Sequence, residues 1–127
     1  MTPPPVTLGI LLISPGHERA HYAFMLACGA AAMGRQVVLF ATNEGCRALE
    51  ADWSTVADAR RDAAIQASGV TGLDELRTAA RELGVQLMVC DSGLRMAGLS
   101  PGSLSAGVQV AGIPSFLAAA TGQVITL

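Results

Sequence analysis

Leu76-Arg77-Thr78-Ala79-Ala80-Arg81-Glu82-Leu83-Gly84-Val85-Gln86-Leu87-Met88-Val89 holds a helix, a glycine and a strand in one short stretch. Leu73, Leu76, Ala80 and Leu83 recur at helical spacing and form one apolar face. Gly84 takes the left-handed conformation just past the helix end without a Cβ penalty. Val85–Val89 is apolar nearly throughout, and a strand with no polar face is buried on both sides. The same order appears as Ala30–Gly34 before Val37–Phe40, and as Phe116–Thr121 and Gly122 before Val124–Leu127. Helices alternating with doubly buried strands call for βα crossovers and a parallel sheet.

Outward from that stretch, the first strand is expected at Val6–Ile13, followed by the turn Ser14-Pro15-Gly16 and a helix over Glu18–Met33. Val37–Ala41 is the second strand, with a short helix near Cys46–Glu50. Ala51–Val70 reads as a loop plus a helix over Val56–Ala67. Thr71 with Asp74 three residues on suggests a capping box for the next helix. Ser92–Ala97 is a short helix, Val108–Ala111 the fourth strand, and Pro114 opens the last helix in its first turn. Val124–Leu127 is the fifth strand. The expected class is α/β: one three-layer α/β/α domain over 1–127, with a five-stranded, mostly parallel sheet of flavodoxin-like kind.

At 127 residues the chain suits a single domain. Apolar residues make up 51% and charged ones 14%, so it can build a core. Every basic residue is Arg and the net charge is −2, which excludes the concentrated basic face that nucleic acid requires. Arg60-Arg61 stands between Asp58 and Asp62, as on a solvated helix face. Met1–Thr7 has no basic region before its apolar run and therefore does not read as a signal peptide. Tyr22–Met33, the longest apolar stretch outside a strand, falls short of the roughly 20 residues a membrane span takes. A cytoplasmic location is expected.

Cys28, Cys46 and Cys90 contain no CxxC, and His17 and His21 are the only histidines, so no structural zinc set is expected. Ser14-Pro15-Gly16-His17 lacks the glycine spacing and Lys-Ser/Thr ending of a phosphate loop, and no GxGxxG follows the first strand. No cofactor is expected. Ligands of open parallel sheets bind beyond the carboxyl ends of the strands. Cys90 is the leading candidate there. It follows an apolar strand as an exposed residue with a helix just behind it, where unpaired N–H groups favour a thiolate. Ser92 and Arg95 stand beside it to assist, and Asp91 opposes. His17 and Glu18 open the first helix and are candidates for proton transfer or anion binding. Cys46 shares the edge as a possible second thiol, whereas Cys28 falls inside an apolar helix as a core residue. Trp53, the only Trp, is expected to cover the core or to meet another subunit. The helix over Glu18–Met33 is apolar nearly all round, which calls for cover by Ala51–Val70 or by another subunit.

Cys90-Asp91-Ser92-Gly93-Leu94-Arg95-Met96-Ala97-Gly98-Leu99, followed by Gly107-Val108-Gln109-Val110-Ala111-Gly112-Ile113, resembles the DsrE/DsrF-like sulfur-relay family, in its stand-alone DsrE-like branch. The Pro/His/Glu turn, the Ala-rich helix and Val37-Val38-Leu39-Phe40-Ala41-Thr42-Asn43-Glu44-Gly45 are similar to it as well. The resemblance implies the DsrE-like fold and a cysteine, matched by Cys90, that accepts and passes sulfane sulfur as a persulfide. It further implies a homo-oligomer with that cysteine near a subunit boundary, and a TusA-like sulfur carrier as a partner. Asp91 directly after the cysteine and the long segment 51–70 depart from the family's pattern. Two other readings compete with sulfurtransferase-like relay. One is a ligand-binding or assembly module using the same edge, and the other is a dithiol redox protein using Cys46 and Cys90.

Overall fold

The structure, a computed structural model, describes residues 6–127. Five strands lie in the order β4-β3-β2-β1-β5: β1 Leu8–Leu12, β2 Val37–Ala41, β3 Gln86–Cys90, β4 Gln109–Ala111 and β5 Val124–Thr126. Every pairing is parallel, so the sheet is wholly rather than mostly parallel. The strand predicted from Val6 begins at Leu8.

The pleat sends alternate residues to opposite faces. Leu8, Ile10, Leu12, Val37, Leu39, Ala41, Leu87 and Val89 meet α1 (His17–Ala32) and α3 (Leu73–Glu82) in the larger core. Val38, Phe40, Met88 and Cys90 face the other way, under Phe116 of α5 (Ile113–Ala119) and Ala120, the residue that follows it. That second layer is thin. It approaches β1 only because residue 9 is Gly, since a Cβ there would lie 2.6 Å from the Ala120 Cβ.

The segment after β2 departs most from expectation. A 3-10 stretch covers Asn43–Leu49, a second covers Trp53–Thr55, and a helix, α2, spans only Arg61–Ala67. Asp58, with φ at 61°, interrupts the helix predicted from Val56. The capping box at Thr71 does not form either. The N-cap of α3 is Gly72, and the Leu73 amide donates instead to Asp62 Oδ1 at 2.9 Å. A Cβ at Gly72 would lie 2.9 Å from Asp62 Oδ2 and 2.6 Å from Gln66 Nε2, so the glycine is what lets α2 close on α3.

This segment answers the question raised by the apolar first helix. His17, Ala20, His21, Ala23, Phe24 and Ala27 are buried beneath the sheet, α3 and the segment, while Tyr22, Met25 and Met33 remain exposed. Trp53 packs on the same core and donates through Nε1 to Asp74 Oδ1 at 2.6 Å. Among the described residues, no helix is long and apolar enough to cross a membrane.

Candidate functional site at the end of the third strand

Cys90 is the last residue of β3 and the N-cap of α4 (Asp91–Met96), with an extended backbone. The expected strand-to-helix junction is therefore present, but the expected exposure is not. Cys90 is only 4% exposed, because it finishes a strand whose face lies under α5 beside Phe40 and Phe116. Asp91 and Ser92 turn to solvent. Arg95 Nη2 lies 3.4 Å from Asp91 Oδ2 on the helix surface, so the two charges expected to act oppositely on the thiol face each other.

The junction is held from β2. Gly93, in the first turn of α4, lies so close to Thr42 and Asn43 that a Cβ there would fall far inside van der Waals contact with Thr42 Oγ1 and the Asn43 amide. Asn43 itself takes a left-handed φ of 52°. Gly45 is pressed on the Leu12 carbonyl in the same way. Arg47 ties the 3-10 stretch to α4, donating from Nη2 to the Ala97 carbonyl at 3.2 Å while its Nε meets Glu44. Gly93→Ala should therefore force α4 away from β2 at a cost of about 1–3 kcal/mol, read as a lower midpoint in urea. An unchanged midpoint would show that the contact is not tight.

Cys46 is fully buried, and its Sγ donates to the Ala41 carbonyl at 3.6 Å. Burial, with the Cys90 thiolate nearby, pushes its thiol up to about 12. The two thiols are thus near enough to influence one another, yet Cys46 is poorly suited to act as a nucleophile near neutral pH. Cys28 is half-buried on α1, donates to the Leu76 carbonyl at 3.4 Å, and is pushed upward by burial.

His17 and Glu18 do not join Cys90. Their helix lies on the opposite side of the sheet, and the His17 ring is fully buried, with Nε2 2.7 Å from Asp62 Oδ1. Arg61 Nη1 lies 3.2 Å from its Nδ1, and a guanidinium only donates, so Nδ1 is the acceptor and Nε2 carries the proton. The His21 ring stacks on His17 at 5.5 Å, and its Nε2 lies 2.8 Å from the Thr71 carbonyl. Both histidines are engaged in fastening the segment 51–72. Glu18 is exposed beside a depression of about 400 Å³ that Ser14, Pro15, Gly16 and Arg19 also line.

Two features near Cys90 escape a reading of motifs. An apolar cavity of about 230 Å³ opens beside α5, between Phe40, Thr42, Phe116, Leu117 and Val124. Beyond Arg95, moreover, the sequence has no Asp, Glu, Lys, Arg or His. The cavity joins residues far apart in sequence, but the uncharged stretch could have been found by plotting charge along the chain.

The DsrE/DsrF-like family model matches residues 8–126. The chain belongs to the DsrE/DsrF-like family. No curated protein matches it. Among solved structures it is similar to the ychN protein from E. coli, with a TM-score of 0.69, 15% identity, and coverage of 97% of this chain and 99% of that one. It is also similar to MTH1491 from Methanobacterium thermoautotrophicum, with a TM-score of 0.64, 16% identity, and coverage of 96% and 99%. At such identities these two neighbours speak for the fold alone. Family membership supports a sulfur-relay-related function.

Proposed function

We propose that the protein is a sulfurtransferase-like relay that carries sulfane sulfur as a persulfide on Cys90. The observation that carries this reading is the position of Cys90. It is the one cysteine that ends a sheet strand and opens a helix, at the carboxyl edge of the parallel sheet. Its thiolate attacks the outer sulfur of a donor persulfide, the donor's S–S bond breaks, and the donor leaves as a thiolate. Cys90 then holds the sulfur until an acceptor thiolate takes it by the same exchange in reverse. No external oxidant or reductant is consumed. The test is intact mass after incubation with polysulfide, with the added sulfur mapped to its peptide. Loading at Cys90 supports the reading, and loading elsewhere overturns it.

The acceptor in this reading is a TusA-like carrier, the compartment is the cytoplasm, and the working form is a homo-oligomer. For the oligomer the support is the α5 face, where Ile113 is 56% and Leu117 60% exposed in a region without charge. When two copies meet about a two-fold axis, residues near the axis face their own images, so charged residues there repel. A face without charge escapes that cost. Light scattering should give a multiple of the chain mass, and Leu117→Asp should return it toward the single chain. A single-chain mass for the unmodified protein would reject the oligomer.

A further inference from the structure

Thr42 extends β2 by one residue, with φ −140° and ψ 162°. Ala41 pairs with Val89, so the next residues along, Thr42 and Cys90, stand abreast. Alternation puts both on the face that carries Phe40, and Thr42 indeed lines the cavity beside Phe40 and Phe116, the same aromatic pair that covers Cys90. The surface of that cavity is wholly apolar, so Thr42 meets it through its methyl group. Its hydroxyl also lies against Gly93, in the first turn of the helix that Cys90 opens. The hydroxyl's own hydrogen bond is to the exposed Asn43 Oδ1 at 3.4 Å, long for an O–H donor and readily given up.

We propose that the Thr42 hydroxyl is the hydrogen-bond donor that stabilises the Cys90 thiolate and the persulfide anion formed on it. The proposal rests on the reading of Cys90 as the sulfur-bearing residue. A thiolate formed under α5 loses water and needs donors from the protein. The Cys90 side chain accepts no capping hydrogen bond from the first turn of α4, and the facing side chains, Phe40 and Phe116, offer no donor. A hydrogen bond to the charged form favours that form, and one made to an ion is stronger than one between neutral groups. The hydroxyl rests on Asn43 in the structure and, in this proposal, turns about the Thr42 Cα–Cβ bond to the sulfur when the thiol ionises. The resting hydroxyl therefore has a weak partner, and the ionised sulfur gives it a strong one.

The test is the pH profile of Cys90 alkylation by iodoacetamide, followed by peptide mass in the full chain. Thr42→Val keeps the shape and removes the donor. It should move the midpoint up by about one pH unit, slowing alkylation roughly tenfold below the midpoint. Thr42→Ser keeps the hydroxyl and should restore the unmodified protein's profile to within about twofold, a rescue that a role in packing alone would not give. An unchanged profile in Thr42→Val, or equal shifts in the Val and Ser variants, would overturn the proposal. Sulfur loading is read separately. If Cys90 shows the Thr42 effect yet accepts no sulfur, the relay reading fails while the hydrogen bond to the thiolate stands.

Discussion

Cys90→Ser should abolish the gain of one sulfur atom on incubation with polysulfide, while Cys28→Ser and Cys46→Ser keep it. A persulfide is an anion near neutral pH, so the cysteine that carries it must sit where an anion is tolerated. Cys46 fails that condition, because its thiol is pushed up to about 12 and it ionises only far above neutral pH. Cys28 is pushed upward by burial against α3. Cys90 stands at the N-cap position of α4, where the helix itself leaves backbone donors unpaired, and its thiol makes no capping bond to them at rest. The expected loss in Cys90→Ser is complete, since a serine hydroxyl cannot form the S–S bond. The added mass on the unmodified protein should disappear with dithiothreitol. If Cys46→Ser abolished loading as fully as Cys90→Ser, the dithiol reading would replace the relay. If no cysteine loaded from any donor, the binding-module reading would replace it.

Asp62→Ala, on the opposite side of the sheet, should destabilise the protein by about 3 kcal/mol, or roughly 10 °C in melting temperature. The Asp62 carboxylate accepts from His17 Nε2 at 2.7 Å, from the Leu73 amide at 2.9 Å and from Gln66 Nε2 at 2.7 Å. Its loss strands a fully buried imidazole and uncaps α3 together. Burial by itself would raise the Asp62 carboxyl, but these three hydrogen bonds outweigh it and hold the group below its ordinary value. Asp62 therefore ionises more readily folded than unfolded. Its stabilisation is fully present above about pH 4, the ordinary carboxylate value, and fades as pH falls through the lower folded value. The gap between the unmodified protein and Asp62→Ala should accordingly narrow in acid. Asp62→Asn keeps an acceptor for Leu73 and should lose less. An Ala variant that melts within about 2 °C of the unmodified protein would show that the network contributes little.

The parts legible in the sequence were those governed by local pattern. Val37–Ala41 and Val85–Val89 announce doubly buried strands because apolar runs, bounded by glycine, depend on little else. The junction at Cys90 followed from the end of such a run. The burial of Cys90 did not, because it depends on α5 crossing a face built from distant strands. The segment 51–70 misled for a related reason. Its helix is cut back by a left-handed Asp58, and the cap of α3 comes from Asp62, eleven positions before Leu73, instead of from Thr71. His17 reads from sequence as a residue at a functional edge. The long-range pairing with Asp62 makes it a fastener, and nothing in the residues beside it signals that. Thr42 was within the motif quoted for the family, but its relation to Cys90 is a matter of strand register.

The order of the strands also bears on the making of the protein. β1 is synthesised before its partners and pairs on one edge with β2, but its other edge waits for β5, where Gly9, Ile10 and Leu11 meet Val124, Ile125 and Thr126. Until those residues leave the ribosome, an apolar strand that will lie inside the finished sheet presents an open ladder of unpaired amides and carbonyls. Such an edge is a template for another nascent copy, and the interval lasts while everything between Leu12 and Val124 is made. Yield in the cell should thus depend on how quickly the stretch up to β5 is delivered, and on chaperones that occupy the edge meanwhile.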